Sequence, residues 1–150
     1  MIVKIILEGI AGTAFMTAVM YTLAYFAGDQ FKVVKVLGTM LTFQTTEDRW
    51  LSNATSAIVV GVIAHYLVGI GFAFVYQWLW NDNVVEVTML NATWMGFLNG
   101  VVGAVGWRIF FFIHSKPPRI ALPLYLTAIA IGHIFFAYGI LAVYKWLPEM

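Results

Sequence analysis

The sequence predicts an all-α integral membrane protein. It reads as a four-transmembrane-helix bundle, a single domain over residues 1–150, with an amphipathic interfacial segment after the first helix. Three observations predict this. Of the 150 residues, 62% are hydrophobic and only 10% charged, whereas a soluble domain carries about 25% charged residues. So few charges cannot cover a water-facing surface. Four apolar stretches are each long enough to cross a hydrocarbon layer about 30 Å thick as a helix. Aromatic and basic residues gather near their ends, where an interface holds such side chains.

The first span runs from Ile2 to Ala27. Lys4 precedes its main apolar run and is expected to snorkel to the headgroups. Gly9, Thr13 and Thr17 recur at four-residue spacing, a small-residue face that lets another helix approach. A cleaved signal peptide is the rival reading, with Ala24 and Ala27 flanking a cleavage site. Glu8 inside the apolar run fits a resident helix better.

Residues 28–51 change character, with Asp29, Lys32, Lys35, Glu47, Asp48 and Arg49. Lys32, Lys35, Thr39, Thr42 and Thr46 follow a three-to-four spacing opposite Val33, Leu37, Met40 and Leu41. That pattern predicts an amphipathic helix on the membrane surface, acting as a connector or as a gate over a cavity.

The second span, Ser52 to Trp80, has no charged residue between Ala57 and Val75. Gly61, His65 and Gly69 share one face, and Tyr76, Trp78 and Trp80 suit an interface. Residues 81–86 form a short polar turn. The third span, from about Val87 to Ile113, carries Gly96, Gly100 and Ala104 as one small stripe and Asn99 and Gly103 as the next. It is expected to be the central packing element. His114 to Arg119 is a basic loop closed by Pro117 and Pro118, and the fourth span runs from Ile120 to about Trp146.

Charge bias sets an orientation. Lys32, Lys35, Arg49, Arg108, Lys116 and Arg119 lie on one side, and Lys4 and Lys145 on the other. Basic residues mark the cytoplasmic face, so both termini are expected on the non-cytoplasmic side of a plasma or inner membrane.

Ionisable groups at membrane depth are costly and tend to face the protein interior. His65, Asn99 and His133 each fall near a helix midpoint and share a plane if neighbouring spans run antiparallel. Glu8 and Asn91 fall nearer the non-cytoplasmic face and suggest a second polar layer. These five residues suit movement of a proton, an ion or a small polar solute, since imidazoles exchange protons near neutral pH. At the opposite face Arg108, His114, Lys116 and Arg119 suit contact with anionic lipid headgroups.

Other readings stay open at this level. Two histidines at equal depth suit axial ligation of one non-covalent haem, although a single mid-depth haem is a poor electron relay across the membrane. A lipid-binding enzyme would assemble scattered polar residues, without the local motifs H-E-x-x-H or G-x-S-x-G. A non-catalytic scaffold would use the small stripes for packing within the chain or in a homo-oligomer. The different depths of Glu8 and the two histidines argue against one three-ligand metal site, and the sequence assigns no cofactor. Without cysteine, thiol catalysis and disulfides are excluded. A net charge of +1 gives no nucleic-acid footprint. Membrane lipids are the expected partners.

Overall fold

A computed structural model describes residues 1–147. Among them the chain forms five α-helices and one short 3-10 turn, Asp29–Phe31, with no strand. The helices are α1 (Ile2–Ala27), α2 (Val33–Leu41), α3 (Thr55–Asn81), α4 (Met89–Ile113) and α5 (Leu122–Trp146). All but α2 are long and apolar enough to cross a membrane.

The ends of these helices follow local chemistry. α1 stops at Gly28, whose φ of 100° only glycine adopts readily, and the Gly28 N–H closes on the Ala24 carbonyl at 2.9 Å. α4 starts on a Thr88 cap whose hydroxyl accepts from the Asn91 N–H at 3.1 Å. Pro123 sits in the first turn of α5, where its missing N–H costs nothing.

The long helices pack in the order α4, α5, α1, α3, with α2 laid against the start of α3. α1 and α5 are therefore central, and each buries about twice the share that α3 or α4 does. This corrects the expectation that the third span is the packing centre: α4 is peripheral and packs chiefly on α5. Its small stripe serves that one neighbour. A Cβ on Gly100 would lie 2.7 Å from Ala130 Cα, and one on Gly96 2.7 Å from Ile134 Cα. At the α1–α5 contact, Gly139 comes so close that a Cβ there would lie 2.7 Å from Gly12 Cα.

The segment after α1 is less regular than its spacing suggested. α2 ends at Leu41, and residues 42–54 form turns and irregular chain, with Phe43 and Arg49 at positive φ. Thr39, expected on a polar outer face, is fully buried and accepts from the Ser52 N–H at 2.9 Å. α2 meets α3 through glycine on both sides: Gly38 faces the Ala57 carbonyl and Gly61 faces the Val34 carbonyl.

Candidate functional site

The polar interior begins on one continuous ridge of α3. Ala57, Gly61, His65, Gly69, Ala73 and Gln77 recur every four residues, a row inclined to the helix axis that turns from one neighbouring helix to the next along its length. The first two meet α2, and His65, Gly69 and Gln77 meet α1. Gly69 lies directly against the Thr13 hydroxyl. Where the ridge carries a polar side chain, α1 supplies a polar partner.

Two such pairs join the helices. Gln77 Nε2 donates to both carboxyl oxygens of Glu8, at 2.7 and 2.9 Å, and Glu8 is 0% exposed. His65 Nε2 stands 3.1 Å from the Thr17 hydroxyl. That hydroxyl spends its one proton on the Thr13 carbonyl at 2.7 Å, so His65 Nε2 must be the donor and Nδ1 keeps the lone pair. Lys4 lies one turn before Glu8. It is buried, with its ammonium 4.1 Å from the centre of the Tyr144 ring, rather than extended to an outer surface. Gln77 and Lys4 also line an open cavity of about 540 Å³ with Trp80, Asn81, Asn83 and Tyr144. Glu8 is thus one side chain removed from that opening.

His133 occupies the other side of the interior, on α5. Its Nδ1 donates to the Ile129 carbonyl at 2.8 Å, which leaves Nε2 as an acceptor. Gly103 on α4 makes room for the ring: a Cβ there would lie 3.0 Å from His133 Cε1. Phe72 from α3 meets the ring edge-on at 6.2 Å, and Phe136 lies 6.0 Å away.

Asn99 and Tyr76 differ from these pairs. Asn99 is 8% exposed, and neither its amide oxygen nor its amide nitrogen has a hydrogen-bond partner. The Tyr76 hydroxyl, also buried and unpartnered, faces that amide closely enough to feel it, without a hydrogen bond of good geometry. Closing that contact would satisfy one amide atom and leave the rest of the Asn99 capacity unused. Tyr76 and Trp80, expected at an interface, are both 3% exposed, while Trp78 faces outward.

Asn91 does not join Glu8. Its side chain donates to the Glu86 carbonyl at 3.0 Å and helps shape the start of α4. Among the described residues no three His, Asp or Glu side chains gather as a metal site.

At the opposite end, His114 is built into the fold. Its Nε2 donates to the Met40 carbonyl at 2.9 Å, its Nδ1 accepts from the Lys116 N–H at 3.1 Å, and Phe43 stacks on its ring at 4.8 Å. Both ring nitrogens are engaged. Arg108, Lys116 and Arg119 are exposed. The Arg119 N–H donates to the Arg49 carbonyl at 2.8 Å, and the Ala121 N–H to Gln30 Oε1 at 2.8 Å, tying the loop before α5 to the segment around α2. Nearby, Asp29 pairs with Lys32 and Lys35, each at 2.8 Å. These hydrogen bonds, that of Lys32 foremost, hold its carboxyl below the ordinary value.

Sequence reasoning missed Gln77, Tyr76 and the buried role of Lys4. For Gln77 the signal was present: the stripe Gly61, His65, Gly69 reaches it after two more four-residue steps. Comparison with family models, with curated proteins and with solved structures finds no match for this chain.

Proposed function

We propose that the chain is a multi-pass protein of a plasma or inner membrane, with both termini away from the cytoplasm, that moves a proton, an ion or a small polar solute through its polar interior. The four long helices cross the bilayer as a bundle, with their exposed apolar side chains in lipid, and α2 lies near the cytoplasmic interface. The route begins at the cavity beside Gln77 and Glu8 and reaches the level of His65, Asn99 and His133.

One observation carries the reading: the unused hydrogen-bonding capacity of Asn99 and Tyr76. Glu8–Gln77 and His65–Thr17 pair off across helices, as groups that merely hold a fold together do. Those two pairs favour a second reading, a membrane scaffold. Asn99 and Tyr76 face each other, and even a closed contact between them leaves most of the Asn99 amide unsatisfied. An unsatisfied buried polar group costs about 1–3 kcal/mol, so retaining two side by side suits a place that a passing ligand or water completes.

Asn99→Leu separates the two readings. Leucine removes the unsatisfied amide at similar volume, so the variant should melt no lower than wild type in detergent. If the amide serves passage, flux in reconstituted vesicles should fall sharply in the same variant. A stable Asn99→Leu protein with unchanged flux would favour the scaffold.

A further inference from the structure

The end of α4 and the start of α5 enclose a groove of about 400 Å³ that the polar interior does not use. Arg108 and Arg119 both line it, with Phe112, Pro117, Ile120 and Leu122 among its apolar walls. Among the described residues neither arginine forms an ion pair with a carboxylate; both ion pairs present belong to Asp29. Arg108 and Phe112 are one turn apart and exposed, and below them Val101, Val105 and Ile109 continue an exposed apolar track down α4. Two guanidinium groups without an ion pair thus border an exposed apolar surface.

We propose that this groove binds one anionic glycerophospholipid, its phosphate between Arg108 and Arg119 and an acyl chain along the outward face of α4. The guanidinium fork suits phosphate oxygens, and the apolar walls suit the glycerol-proximal carbons. A free phosphate would use the arginines and leave Phe112 and Leu122 without a role. Lys116 is exposed in the same loop but does not line the groove, so it serves as the control. His114 is excluded because both its nitrogens are already engaged. The inference rests on the membrane reading and is independent of transport.

The test begins with alkaline carbonate extraction of membranes that contain the chain. Release from the bilayer would overturn the membrane reading and this inference together. With retention established, the purified chain in mild detergent is titrated with phosphatidylglycerol and with phosphatidylcholine, and bound lipid is counted by native mass spectrometry. Wild type should retain one phosphatidylglycerol in preference to phosphatidylcholine. Arg108→Gln and Arg119→Gln should each reduce that preference about ten-fold or more, the scale of one lost charge-assisted contact. Lys116→Gln should keep it. Both arginines are exposed, and unchanged circular dichroism will show that the variants fold. Equal binding of the two lipids by wild type, or equal losses in all three variants, would overturn a discrete site. Displacement of the lipid by millimolar inorganic phosphate would reassign the groove to a free anion.

Discussion

At Glu8 the fold accepts a carboxyl group with no water contact and gives it a single neutral partner, Gln77. Removing that partner should cost more than neutralising the acid. Gln77→Leu leaves the Glu8 oxygens unsatisfied and is expected to destabilise by roughly 1–3 kcal/mol, the cost of a buried acceptor left without its partner. Glu8→Gln keeps an amide-to-amide pair and should lose less. Denaturation of the two variants in the same detergent ranks them, and a larger loss for Glu8→Gln would contradict the assignment. Thr17→Val, which removes the His65 partner, is expected to cost roughly 0.6 kcal/mol, since interhelical hydrogen bonds in membrane proteins are worth about that on average. Asp29 supplies a pH effect outside the long helices. Its carboxyl is held low by Lys32 and Lys35, so the stabilisation is present above the ordinary value of 3.8 and is lost as the pH falls through the lower folded value. Asp29→Asn should remove that acid-dependent component. Because Asp29 is largely exposed and such pairs are worth little in water, the variant should melt close to wild type at pH 7.

At the scale of the element, contact between helices is set by glycine. A Cβ at Gly100 or Gly139 would run into the backbone of the facing helix, whereas Gly71 and Gly106 have open space around them. Gly100→Leu and Gly139→Leu are expected to lower stability by about 1–3 kcal/mol, the usual cost of overpacking. Gly71→Ala and Gly106→Ala should be neutral or slightly stabilising, because alanine is the better helix former. Melting in detergent checks all four, and a loss at Gly71 or Gly106 would place a contact between copies of the chain there.

The helix limits were legible because apolar length and the flanking Gly, Thr and Pro residues are local signals. The expected second span from Ser52, for example, begins as a helix at Thr55. The segment after α1 was less legible. The three-to-four spacing from Lys32 to Thr46 is real, but Thr39 turns inward to the Ser52 backbone and the helix stops at Leu41. Packing order was not legible either. The small stripe on α4 announces close approach and does not say to how many neighbours. Pairing across helices was legible only in part: residue type singled out His65 and Glu8, but their partners are a threonine and a glutamine whose roles depend on which helices touch.

For the whole molecule, the packing order leaves α3 and α4 with broad apolar outer faces and draws the polar side chains to the helix interfaces, the distribution expected of a protein solvated by lipid. If the chain crosses four times, Asn83 and Lys116 lie on opposite sides. Single cysteines there should react with an impermeant reagent from opposite sides of sealed vesicles. Labelling of both from one side would remove the proposed topology. The central claim concerns what the interior does, and proton or solute flux in reconstituted vesicles across a pH series tests it most directly. His65→Gln and His133→Gln keep polarity at the two positions and remove titration near neutral pH. Both variants should fold, and each should change the pH dependence of flux relative to wild type. Identical flux and identical pH profiles in wild type and both variants would remove the histidines from passage and contradict a conducting interior.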